Sequence, residues 1–195
     1  MPSRVLLIQG HPDPAGGHLC HGLAQAYADG AREAGHDVQT LDVSKLDFPL
    51  LRSQHAWTHD PLPPALAPAQ EAIRWADHLV FFFPLWLGGM PALLKGFLEQ
   101  IAREGFAFAK DAKNPMGVKL LKGRSARLVV TMGMPAVLYR YYFRAHSVKA
   151  LERNILGFVG IGPIQETLIG LVETMNDQTR ANWFHKLREL GRQAR

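Results

Sequence analysis

Residues 78–97, HLVFFFPLWLGGMPALLKGF, hold the pattern on which the fold turns. The run HLVFFF (78–83) is short, unbroken and apolar, as expected of a strand buried on both faces. It stops at Pro84 and passes into a loop that is itself apolar, carrying Leu85, Trp86, Leu87 and then Gly88 and Gly89. Pro91 suits the first turn of a helix. The segment PALLKGFLEQIAR that follows spaces its apolar residues by three and four. Strand, loop and helix in that order make one unit of an alternating α/β chain.

The same unit recurs along the sequence. RVLLIQ (4–9) and ARLVVTM (126–132) read as buried strands, DVQTLDV (37–43) as a β-branched, alternating one, and IQETLIG (164–170) as the last. Helical spacing covers roughly 18–34, 65–76, 91–103, 138–157 and 177–191. This alternation predicts a five-stranded parallel sheet with helices on both faces and right-handed crossovers. The segment FPLLRSQHAWTHDPLPPALAP (48–68) lacks a clear period and reads as a surface connection packed by its own aromatics. A length of 195 residues requires no second domain, so 1–195 is read as a single unit.

Composition narrows the function classes. With 47% hydrophobic and 20% charged residues the chain falls in the ordinary globular range. Cys20 stands alone, which excludes an internal disulfide and suits a reducing cytoplasm. No apolar run reaches membrane-spanning length, so no membrane insertion is expected. The net charge of +5 would suit an anionic ligand. The basic residues are dispersed, however, and no basic patch interleaved with stacking aromatics supports nucleic-acid binding.

In open α/β sheets ligands bind beyond the carboxyl ends of the strands, so the loops that follow strands carry the information. GHPDPAGGHLCHG (10–22) offers glycines and prolines ahead of a helix, with free backbone N–H groups that suit an anion. His11, His18 and His21 could add donors to a phosphate. An ordinary capped turn remains open for this loop, as does a weaker metal reading from His18, Cys20 and His21, although no downstream cluster completes a ligand set. It is neither a G-x-x-x-x-G-K-[ST] loop nor a G-x-G-x-x-G fingerprint. The apolar loop Pro84–Gly89 suits a flat aromatic ligand with a hydrogen-bonding edge, such as an isoalloxazine, because its backbone is bare and its side chains are apolar. A simple cap on the core is the alternative.

These blocks resemble a known family. HPDP after the first strand, WADHLVFFFPLW, MPALLKGFLEQ, GFAF, LVVTMG with Tyr139, and ILGFVGI are similar, in order, to the flavodoxin-like NAD(P)H dehydrogenases (quinone), or quinone reductases. The resemblance implies a flavodoxin-like three-layer sandwich of strand order 2-1-3-4-5, bound FAD or FMN, NAD(P)H as hydride donor, and two-electron reduction of a quinone or related acceptor. It also implies a homodimer with sites at the subunit interface. By matching positions, Pro84, Leu85, Trp86 and Leu87 would contact the isoalloxazine, and Thr131, Met132 and Gly133 its polar edge. His11, His18, Leu19 and Cys20 would hold the ribityl phosphate region.

Tyr139 falls where the family has a tyrosine beside the ring, and His146 lies one position from its usual histidine. Both are candidates to stabilise charge that develops on reduction, with Tyr141 and Tyr142 as rivals. Arg180 would meet the FAD diphosphate or adenine, or else is a solvated helix charge. Phe106 and Phe108 are either pocket walls, offered to a partner subunit, or core. The chain departs from the family pattern in two places. The first loop is longer by about two residues and offers His18, Leu19 and Cys20 where a Ser-Phe-Asn-like triplet is common, and the apolar loop has Leu87 and Gly88 where many relatives carry aromatics. A regulatory flavoprotein of a glutathione-gated potassium efflux system, or a flavin electron carrier, are the rival readings. Azo or nitro acceptors lie within the same enzyme class.

Overall fold

The computed structural model describes residues 2–111 and 114–195. The described residues form strands β1 (Arg4–Gln9), β2 (Asp37–Asp42), β3 (His78–Pro84), β4 (Phe108–Asp111), β5 (Asn114–Lys119), β6 (Ser125–Thr131) and β7 (Ile164–Ile169). Five of them form one parallel sheet in the order β2-β1-β3-β6-β7, and β4 and β5 pair separately as an antiparallel ribbon. With the ribbon set aside, the sheet has the flavodoxin-like order 2-1-3-4-5. Val5 pairs with His78 and Gln9 with Phe82; on the other side of β3, His78 pairs with Ser125 and Pro84 with Thr131. The order reverses at β1 and β3, so the loops that leave these two strands open into the crevice at the carboxyl edge.

The α-helices among the described residues are α1 (Leu19–Glu33), α2 (Gln54–His59), α3 (Ala67–Trp75), α4 (Ala92–Ile101), α5 (Ala136–Tyr141), α6 (His146–Ala150), α7 (Gly157–Val159) and α8 (Asp177–Arg192). A π-helical segment, Leu151–Leu156, joins α6 to α7. Alternation along β1 divides the core between the two faces of the sheet. Leu6 and Ile8 face the side covered by α3 and α4, while Val5 and Leu7 face α1 and α8. The side chains of Phe81, Phe82 and Phe83 are all at most 2% exposed, and each contributes about 1.5–3 kcal/mol by leaving water.

α1 and α8 approach backbone to backbone through two glycines. A Cβ added at Gly30 would lie 1.9 Å from the Arg188 carbonyl oxygen, and one at Gly191 would lie 2.1 Å from that of Tyr27.

Three features depart from the sequence reading. The ribbon β4–β5 was not anticipated; Phe108 on it packs within one chain between Trp57 and Phe158, with ring centroids 5.5 Å from each. The aperiodic connection contains α2, capped by Ser53, whose hydroxyl accepts the Ala56 N–H at 3.0 Å. Buried Arg103 holds this helix from below, donating to the Ala56 and Asp60 carbonyls at 3.0 and 2.7 Å. Finally, the helix expected over 138–157 is broken. Arg144 and Ala145 are both left-handed, at φ 53° and 48°, and the chain turns between α5 and α6.

Candidate active site

The first loop is folded by its own polar side chains. His11 is 7% exposed; its backbone N–H donates to Gln9 Oε1 at 3.0 Å, and its Nδ1 accepts the Asp13 N–H at 3.2 Å. An accepting Nδ1 leaves the proton on Nε2, so the neutral ring presents one N–H donor. Burial, reinforced by His18 and His21, lowers the His11 pKa to about 4. His18 stacks on it at 3.9 Å and bonds Asp13 Oδ2 through Nε2 at 2.7 Å. That bond holds the Asp13 carboxyl below its ordinary pKa.

α1 begins where this loop ends. His18 is its N-cap residue but makes no side-chain cap, and the N–H groups of Gly17, His18, Leu19 and Cys20 have no partner among the described residues. A fifteen-residue helix with free donors at its start is suited to a phosphate. His21, on the next turn, has both ring nitrogens buried without a partner, and burial lowers its pKa. Unpartnered N–H donors beside neutral imidazoles have the chemistry to receive an anion.

Cys20 points the other way. Its thiol lies 3.0 Å from the Thr131 hydroxyl, and burial pushes its pKa up to about 11, so it stays protonated and inert at neutral pH. The metal alternative for the first loop gains no support: among the described residues, no group of three or more His, Cys, Asp or Glu side chains could hold an ion.

The apolar loop is a tight hairpin rather than a slack connection. Leu85 donates to the Thr131 carbonyl at 2.7 Å, which ties the loop to the end of β6. Trp86 and Gly89 exchange two backbone hydrogen bonds at 2.9 Å, with Leu87 and Gly88 at the tip at φ 47° and 78°. Two successive left-handed residues are the signature of the type I′ turn. Among the described residues the N–H groups of Leu87 and Gly88 have no partner, and the side chains of Trp86 and Leu87 stand in solvent at 52% and 109% exposure. The Trp86 ring lies 6.0 Å from His11, edge-on, which joins the first two loops into one rim.

The third loop is divided in its availability. Thr131 is bonded through its hydroxyl to Cys20 and through its carbonyl to Leu85. Met132 is buried, donating to Ile169 at 2.9 Å and accepting from Val172 at 3.3 Å. Of the three residues expected at a polar edge, Gly133 alone has an N–H without a partner among the described residues.

Tyr139 is 2% exposed, and its hydroxyl accepts the Val148 N–H at 3.4 Å at the start of α6. Burial raises its pKa, so it remains a proton donor at neutral pH. His146 is exposed at the first position of α6. Tyr141 and Tyr142 are solvent-facing, at 74% and 76% exposure, and do not share the buried position of Tyr139. Arg180 pairs with Asp177 at 3.0 Å and donates to the Met175 carbonyl, as a solvated helix charge would. Phe106 and Phe108 are core.

Sequence reasoning missed Ser147 and Glu173. A Cβ on Gly89 would come within 3.4 Å of Ser147 Oγ, and one on Gly133 within 3.2 Å of Glu173 Oε1. Only the break between α5 and α6, and the turn after β7, bring them to the rim.

A doubly wound sheet with unpartnered N–H donors after β1 and an apolar hairpin after β3 is a flavodoxin-type architecture. The chain belongs to the family of flavodoxin-like fold, whose model matches residues 3–190. A ribosyldihydronicotinamide dehydrogenase-like protein of Penicillium crustosum is 31% identical over 155 residues, 67% of this chain and 57% of that protein. An uncharacterized NAD(P)H oxidoreductase of Haemophilus influenzae is 25% identical over 90% of this chain and 87% of its own. Among solved structures, the NAD(P)H:quinone oxidoreductase of Methanothermobacter marburgensis superposes with a TM-score of 0.81 at 24% identity, covering 98% of this chain and 96% of that one. That last likeness is one of fold.

Proposed function

We propose that this protein is a flavin-dependent NAD(P)H oxidoreductase that passes two electrons to a quinone or related acceptor. The observation that carries the reading is the rim formed by the cradle at the start of α1 and the Trp86–Gly89 hairpin. One offers unpartnered donors beside neutral histidines, the other an apolar surface with bare N–H groups. The names of the relatives in Penicillium crustosum and Haemophilus influenzae point the same way.

Bound FAD or FMN would supply the redox chemistry. The protein supplies position, exclusion of water and electrostatics. His11 Nε2–H and the N–H groups of Leu19 and Cys20 would hold the phosphate, helped by the partial positive charge at the start of α1. Leu85 and Trp86 would pack against the ring, and the N–H groups of Leu87, Gly88 and Gly133 would meet its polar edge. Tyr139, protonated at neutral pH, would donate a hydrogen bond to negative charge building up beside it. Trp86, Leu138, Tyr142 and Phe143 leave apolar surface beside this rim, between 43% and 76% exposed, which a second copy of the chain would cover in a homodimer.

The test is an anaerobic titration of flavin-reconstituted protein with NADPH and then NADH, following the visible absorption. Bleaching is expected. Bound but unbleached flavin would instead support a carrier or regulatory flavoprotein. Tyr139→Phe should slow flavin reduction at least about tenfold, and an unchanged stopped-flow rate would remove Tyr139 from the mechanism.

A further inference from the structure

β7 closes one side of the sheet. Ala126 donates to the Pro163 carbonyl and Met132 to that of Ile169, each at 2.9 Å, so Gln165, Thr167 and Ile169 turn their backbone groups toward β6. Ile164, Glu166 and Leu168 turn theirs outward, and no described residue pairs with them. A groove of about 410 Å³ runs along this edge. α5 supplies one wall through Val137 and Tyr141, 69% and 74% exposed, and α8 supplies the other through Trp183 and Leu190.

The groove is cationic. Lys186 lies 4.7 Å over the Trp183 ring and has no carboxylate partner among the described residues. Arg127, buried beneath the edge, donates to the Thr167 hydroxyl, the Gln165 carboxamide and, through Nε, the Arg195 backbone oxygen. Arg140 reaches Glu166 only at 3.3 Å. Arg140 and Glu166 offset each other, so Lys186 is the cation of the groove left without a carboxylate partner among the described residues.

We propose that this edge is a docking strand for an extended acidic peptide segment of a partner protein. An added strand would pair with the outward N–H and C=O groups, its side chains alternating between the two walls, each of which offers an apolar residue and a cation. Edge strands left free are usually guarded by lysine, proline or a bulge. β7 has none of these over Ile164–Ile169, and Glu166, the one carboxylate on it, is drawn aside to Arg140. A second copy fits poorly, because β7 against β7 would bring the same cationic walls together. A helix would leave the edge donors unpaired.

The probe is a fluorescein-labelled peptide, EVEVTVEV, with KVKVTVKV as its control. Anisotropy should show saturable binding of the acidic peptide at least about tenfold tighter than the basic one. Paired Lys186→Glu and Arg140→Glu changes should weaken it by a similar factor while the melting temperature is kept. Hydrogen exchange on the wild-type chain provides a readout free of any variant: the Glu166 and Leu168 amides should slow when the acidic peptide binds. Equal affinity for both peptides, no saturable binding, or protection elsewhere would overturn the proposal. So would protection of these amides that grows with protein concentration alone, which would mean pairing of two copies.

Discussion

Leu87 occupies a backbone conformation that costs an L-residue roughly 1–2 kcal/mol, and its side chain gains nothing from burial to offset this. Asparagine tolerates the left-handed region far better. Leu87→Asn is therefore expected to raise the stability of the isolated chain by about 0.5–1 kcal/mol, roughly 2 °C in melting temperature. A fall on calorimetry would show that the leucine packs against something the single chain does not contain. The sequence makes this loop conspicuous by its composition, yet it does not announce that Leu87 rather than a glycine takes the first left-handed position. The sequence singles out Tyr139 as a candidate, whereas its burial could not be read there. That burial depends on α6 folding back so that Val148 can donate to its hydroxyl.

Among the elements, α1 and α8 depend on each other most directly. Gly30→Ala would drive a methyl group into the Arg188 carbonyl, and because backbone cannot yield as a side chain can, a loss of about 1–3 kcal/mol is expected in denaturant unfolding. An unchanged midpoint would mean that the two helices can slide apart at no cost. Most of the sheet could be read from the sequence, because β1, β3 and β6 are buried on both faces and leave unbroken apolar runs. The ribbon could not, since β4 has only four residues and shows no alternation. The break after α5 was hidden for a different reason. Helical spacing continues through Arg144 and Ala145, and neither a glycine nor a proline marks the turn.

At the scale of the whole molecule, buried histidines set the response to acid. Burial, with Arg127 nearby, lowers the His78 pKa to about 4. Its folded form is neutral, so between pH 6.5 and 4 the unfolded chain takes up a proton that the native state refuses. Stability should therefore fall as pH drops through that window, by up to about 3 kcal/mol from this residue. His78→Phe should flatten the profile of unfolding midpoint against pH, and a profile unchanged in slope would assign the acid sensitivity elsewhere. The candidate site was legible as three loops but not as one rim, because the contacts that join them, His11 to Trp86 and Cys20 to Thr131, span long stretches of chain. The opposite end of the sheet is closed by polar contacts in which Arg127 meets Thr167 and Gln165. A scaffold secured at that end leaves its rim tolerant of substitution, so ligand preference can change through the loops while the sheet stays intact.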